Sequence, residues 1–178
     1  MIATMDNPAR PVAIAFRPLG EADLPLVANW LAEPHVARWW GDRHAAIAEI
    51  RLAMAEPATD PYLIVIDGEP IGYIQSYDVH GEGDQPFSEQ PAGSIGIDIT
   101  IGVPSLVGRG IGPLVIEAFV ARLFAAGAPR IVIDPDPANH RAIRAYAKAG
   151  FTPVDERPTM YGPALLMVRD NPNNTRPT

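Results

Sequence analysis

Apolar positions along this chain follow two spacings, and the switches between them mark out its elements. Residues 12–19, VAIAFRPL, form a strand-like apolar run that stops at Pro18. In GEADLPLVANWLAE, acidic residues come first and Leu24, Val27 and Leu31 follow three and four apart, which predicts a helix. A second helical stretch runs from about His44 to Met54. PYLIVIDGEPIGYIQSYDV holds two β-rich runs around Asp67-Gly68, a pair suited to a two-residue hairpin turn. SIGIDITIGV reads as another strand, and the glycine-rich LVGRGIG then opens a helix reaching about Ala126. RIVIDP is a short buried strand, and PANHRAIRAYAKAG a helix that stops at Gly150. FTPVDE and PALLMVR are the last strands.

The order is an early helical pair, an antiparallel meander, then strand, helix, strand, helix, strand. That order predicts a mixed central sheet flanked by helices, of the α/β or α+β class. The expected division is an N-terminal extension over 1–11, one domain over 12–169 and a flexible polar tail over 170–178. Residues 78–93, DVHGEGDQPFSEQPAG, carry no element of their own, and a loop this long in a compact domain is usually a lid or a binding loop.

Composition narrows the chemistry. With 178 residues the chain can bury a substantial core. It contains no cysteine, so disulfides, thiolate metal sites and a cysteine nucleophile are excluded. His35, His44, His80 and His140 lie scattered without ligand spacing, so no metal site is expected. No stretch reaches the roughly 20 apolar residues of a membrane span, and the N-terminus lacks the pattern of a secretory signal, so a cytoplasmic protein with no membrane partner is expected. The formal charge of −7 disfavours nucleic acid and favours a small cationic partner.

Gly108, Gly110 and Gly112 fall within five residues, between a strand and a helix. A helix N-terminus offers unpaired N–H groups and a partial positive charge, and glycines let an anion come close. No Gly-Lys-Ser/Thr follows, so this is not a Walker loop, and the preceding strand does not open a Rossmann unit. By themselves the glycines fit a tight turn as well as a phosphate site.

VGRGIG resembles the pyrophosphate-binding loop of the GCN5-related N-acetyltransferases (GNAT), although Val107 stands where that family usually has Arg or Gln. DPDPANHRAIRAYAKAGF is similar to the family's second cofactor segment, and Asn139 and Tyr146, seven apart, share one helix face. HVARWWG, PYLIVIDGEPIGYIQSY, GIDITIG and IDPDPANHRAIRAYAKAGF, in that order, resemble the aminoglycoside 6′-N-acetyltransferases over about Phe16 to Val168. Siderophore and other small-molecule amine N-acyltransferases share much of this pattern and supply the alternative reading.

The resemblance implies a GNAT fold, acetyl-CoA as cofactor and an aminoglycoside as acceptor in a monomer or homodimer. It implies cofactor contacts at Ile101, Gly102, Val107, Gly108, Arg109, Gly110, Ile111, Gly112, Asn139, Ala142 and Tyr146. Asp98, an acid in the middle of an apolar strand, becomes the catalytic carboxylate, and Tyr146 the phenol facing the thiol. Acetyl transfer needs a neutral amine, hence a base, and it expels a thiolate, which a phenol can protonate. A polycationic sugar needs carboxylates and flat surfaces, which points to Asp84, Asp98, Asp134 and Trp40, with Trp39 expected to pack. One departure stands out: Tyr161, in MYGPA, replaces an acid that the aminoglycoside enzymes often carry there.

Overall fold

The computed structural model describes residues 12–81 and 87–174. Seven strands form a single sheet in the order β1-β2-β3-β4-β5-β7-β6. They are β1 (Ile14–Pro18), β2 (Thr59–Ile66), β3 (Glu69–Asp78), β4 (Ile95–Ile101), β5 (Arg130–Ile133), β6 (Thr152–Thr159) and β7 (Gly162–Asp170). Every neighbouring pair is antiparallel except β4–β5. The helices are α1 (Leu24–Ala32), α2 (Pro34–Trp40), α3 (Arg43–Ala55), α4 (Ile111–Ala125) and α5 (His140–Lys148). The expected mixed sheet with an antiparallel meander is therefore present.

Strand alternation sends side chains to two cores. On one face Ile64, Ile74, Ile97, Ile131 and Ile133 pack against Val115, Ile116, Phe119 and Val120 of α4 and Tyr146 of α5. Phe119 is fully buried, with Phe16 edge-on at 4.8 Å. On the other face Leu63 and Tyr73 meet Val27, Trp30 and Leu31 of α1 and Ala46 and Ile50 of α3. Each buried large apolar side chain contributes about 1.5–3 kcal/mol.

The turn chemistry agrees with the sequence at two points. Asp67 and Gly68 both have positive φ, +50° and +90°, as a type I′ hairpin between β2 and β3 requires. Gly150 ends α5 at φ +84°. Three expectations are corrected. HVARWW, assigned no element, is the helix α2: Glu33 is extended, Pro34 starts a new helix, and a second axis direction follows. Strand β6 continues to Thr159 despite Pro153 and Pro158, because it is an edge strand with one side free of ladder bonds. Asp170, expected to open a flexible tail, ends β7 and forms a two-pronged ion pair with Arg130 at 2.6 and 3.0 Å. Asn171 is also held, donating from Nδ2 to the carbonyls of Phe124 and Ala128.

The downstream half of the long connection between β3 and β4 is anchored. Phe87 is buried beside Val132, Leu166 and Val168, and the Arg157 guanidinium lies over its ring at 5.4 Å. The acidic tip expected to help bind a cation, at Asp84, lies outside the described residues.

Candidate active site

The parallel pair β4–β5 is joined only at Ile95–Ile131 and Gly96–Val132. Beyond Gly96 the strands part. The Gly102 amide donates to the Ile71 carbonyl at 2.8 Å, so even-numbered peptides of β4 point toward β3. Alternation then leaves the amides of Ile99 and Ile101 facing the gap. A cleft of about 390 Å³ opens here, walled by Ile99–Ile101, α2, the glycine loop and α5.

The glycine loop has a conformational reason for its composition. Gly108 and Gly110 sit at φ +78° and +79°, and a Cβ on either would meet nothing within 4 Å. Their open side is space along the cleft wall. Among the described residues the amides of Gly108, Gly110, Ile111 and Gly112 carry no backbone hydrogen bond. These four donors, at the start of α4, could hold an anion. At Gly112, where a Cβ would stand 4.0 Å from that of Ala145, α4 and α5 come together.

Helix α5 supplies the opposite wall. Asn139 caps it, its Oδ1 accepting from the Ala142 amide at 3.2 Å, and also borders the cleft. Two turns on, Tyr146 packs against Phe151 and borders the cleft. Burial first, then the charges of Asp98 and Asp134, pushes the phenol well above its ordinary range, so it stays protonated. Arg141, Arg144 and Lys148 also line the cleft and form no ion pair among the described residues. From the sequence Lys148 reads as a solvated helix residue, and Arg141 and Arg144 are given no role. The signal of this stripe was there, because cations spaced three and four apart on one helix of an acidic chain share a face.

Several other expected cofactor contacts separate here. Ile101, Val107, Gly108, Gly110, Gly112, Asn139, Ala142 and Tyr146 border the cleft; Gly102, Arg109 and Ile111 do not. The place of a Gly102 side chain is taken by the Trp30 ring, and its amide is already spent on Ile71. Arg109 points into solvent, and Ile111 packs into the core under α4. His35, which the sequence left without a role, joins α2 to β4 through Nε2 and the Ile101 carbonyl at 2.9 Å. Trp39 and Trp40 both border the cleft. Trp40 packs edge-on against Tyr73 at 5.8 Å, while Trp39 lies under the Arg38 guanidinium.

The carboxylates gather on the other side of the gap. Asp98 pairs across the register with Gln75, whose Nε2 donates to Asp98 Oδ2 at 2.7 Å. Gln75 Oε1 in turn accepts from the Tyr73 hydroxyl at 2.6 Å. Desolvation raises the Asp98 carboxyl above the usual range; the Gln75 hydrogen bond opposes this, and the charge of Glu49 on α3 adds to it. Asp134, at the end of β5, is pushed up to about 7, by burial and then by Asp98. Tyr77 feels both acids, and Tyr161 on the β6–β7 turn feels Glu49 and Asp98. Glu49 was not foreseen, since nothing in its helical surroundings distinguishes it from a solvated surface acid.

The chain matches the Acetyltransferase (GNAT) domain family over residues 20–159. It belongs to the GNAT acetyltransferases. This GNAT domain is 36% identical over 166 residues to an aminoglycoside N(6′)-acetyltransferase type 1 from Klebsiella pneumoniae, covering 88% of this chain and 83% of the relative. A lysine N-acyltransferase, MbtK, from Mycolicibacterium paratuberculosis is 27% identical over 176 residues, covering 93% and 76%. A crystal structure of the aminoglycoside acetyltransferase AAC(6′)-Ib with coenzyme A and kanamycin superposes with a TM-score of 0.80 at 36% identity, covering 89% of this chain and 95% of that one. GNAT enzymes take acetyl-CoA. The unpaired amides of the glycine loop and the cationic stripe of α5 fit its phosphates, and the narrow gap between β4 and β5 fits an extended arm.

Proposed function

We propose that the protein transfers the acetyl group of acetyl-CoA to the 6′-amine of an aminoglycoside antibiotic, and so confers resistance. The observation that carries this reading is the pairing of a cofactor cleft with an acidic cluster across the β4–β5 gap. Glu49, Asp98 and Asp134 offer a polycation three carboxylates, and the relatives described above include enzymes named for this acceptor.

Acetyl-CoA supplies the acetyl thioester. Asp98 holds the acceptor's ammonium group and takes up its proton, directly or through water, leaving a neutral amine free to attack. The amides of Ile99 and Ile101 donate to the carbonyl oxygen as negative charge develops on it. Tyr146 keeps its proton at Oη, ready for the thiolate that leaves as the new C–N bond forms and C–S breaks. Asp134 and Glu49 hold the remaining ammonium groups, and Trp40 offers a flat wall beside them.

The test is product analysis by mass spectrometry and NMR after incubation with acetyl-CoA. Kanamycin should gain one acetyl group on its 6′-amine, and a relative with a 6′-hydroxyl should not react. Acetylation of the hydroxyl analogue, or of another ring amine, overturns the regiochemistry. Turnover of lysine-like amines without any aminoglycoside turnover overturns the acceptor.

A further inference from the structure

Tyr73 is fully buried beneath the acceptor side of the sheet, yet its hydroxyl takes part in a polar chain that ends on Asp98. The direction of this chain is tied to the protonation state of Asp98. An ionised Asp98 can only accept, so the Gln75 amide nitrogen must face it. The Gln75 oxygen then faces Tyr73, which must donate. The reverse arrangement needs a protonated Asp98 giving its hydrogen to Gln75 Oε1, with the amide nitrogen donating to Tyr73 Oη. The Tyr73 proton would then have to point elsewhere. The Tyr73 ring belongs to the apolar cluster of Leu63 with residues of α1 and α3, with Trp40 edge-on at 5.8 Å, and the bond to Gln75 is the one hydrogen bond of this hydroxyl among the described residues. A buried hydroxyl proton without an acceptor is costly, so the reverse chain is suppressed.

We infer that Tyr73 is a positioning residue for acetyl transfer: by locking the Gln75 carboxamide with its N–H toward Asp98, it holds that carboxylate ionised and aimed at the acceptor. This rests on the reading of Asp98 given above. The lock matters because so much else opposes the charge. Asp98 is desolvated within the sheet and faces Glu49 from α3 and Asp134 from β5, with Tyr77 of β3, Tyr146 of α5 and Tyr161 of the β6–β7 turn as its other titratable neighbours. None of these neighbours is a cation. Gln75 is the side chain that donates to it, and Tyr73 is what keeps Gln75 from turning over.

The experiment compares wild type with Tyr73→Phe, Gln75→Leu and the double variant, using two readouts. The first is the pH titration of the Asp98 carboxyl carbon by NMR in the free protein, assigned with Asp98→Asn. Tyr73→Phe should move this titration upward by about one pH unit, the scale of one lost hydrogen bond. Gln75→Leu should move it at least as far, and adding Tyr73→Phe to Gln75→Leu should move it no further. The second readout is the acid limb of kcat/KM against pH with kanamycin, which should shift with the NMR titration while coenzyme A affinity stays unchanged. An Asp98 titration indifferent to Tyr73→Phe overturns the lock, as does a further shift in the double variant. A titration that moves while the acid limb stays still keeps the lock but overturns its part in the reaction, and with it the role of Asp98. If Tyr73→Phe does not fold, the Gln75→Leu titration decides: no shift there overturns the proposal.

Discussion

The ring of Tyr77 occupies the place where Gly96, its partner across the β3–β4 register, would carry a side chain. Gly96 is also the last residue of β4 to pair with β5, so this contact sits where the gap begins. Gly96→Ala should displace this ring, which feels the charges of both Asp98 and Asp134. Overpacking of this kind costs about 1–3 kcal/mol, roughly 2–12 °C in Tm for a domain of this size. Turnover should fall as well. A thermal melt matching wild type would show that Tyr77 can move aside freely.

Gly110→Val should act differently, because the space around Gly110 is open. The left-handed conformation there would cost a β-branched residue about 1–2 kcal/mol, and the fold should survive. Its side chain would stand in front of the free amides of the glycine loop. Calorimetry should show coenzyme A affinity reduced about 10-fold or more. A folded variant that binds coenzyme A like wild type would remove this loop from the phosphate site.

Burial and the Asp98 charge push the Asp134 carboxyl up to about 7 in the folded protein, against about 3.9 for a free aspartate. Between these values the folded state binds more protons than the unfolded chain, so this residue's contribution to stability falls as pH rises from about 4 to 7. Asp134→Asn removes that penalty. It should raise Tm by several °C at pH 8 and leave it near wild type at pH 4. Differential scanning calorimetry at the two pH values checks the sign; a gain at pH 4 only would contradict it.

An acceptor polycation should favour the ionised forms of Asp98 and Asp134, and so expel protons at pH 7. Titration calorimetry with kanamycin in buffers of different ionisation enthalpy should give heats that depend on the buffer. The apparent affinity should also weaken as salt screens the carboxylates. Heats independent of buffer would mean that the acid pair does not meet the acceptor.

Arg144 lines the cofactor cleft without an ion-pair partner among the described residues. Arg144→Gln should raise the KM for acetyl-CoA by about 3- to 10-fold and leave kcat near wild type, because it removes attraction to phosphate and touches no reacting atom. A fall in kcat with unchanged KM would place Arg144 elsewhere in the reaction.

Local signals made much of this protein readable. Asp67-Gly68, Gly108, Gly110 and Gly150 are positions where only a few residue types tolerate positive φ, so backbone sterics alone announced those turns. The apolar alternation of β2 to β4 and the seven-residue separation of Asn139 and Tyr146 follow from helix and strand geometry within one segment. Each signal depends on near neighbours in the chain, and each was met in the fold. The helix α2 was less legible, because seven residues beginning at a proline are too few for a periodic pattern to emerge.

By itself, then, the sequence determined the order of elements, the glycine turn that opens α4, and a helix with Asn139 and Tyr146 on one side. Tertiary structure alone decided what those parts do together. The parting of β4 from β5 is a property of two strands paired 36 residues apart, and it turns an ordinary parallel pair into a gap with free amides. The environments of Asp98 and Asp134 come from burial and from each other, and no local pattern encodes such long-range electrostatics. The same holds for the Tyr73–Gln75–Asp98 chain, whose two ends lie on different strands and meet only when β3 and β4 take their register.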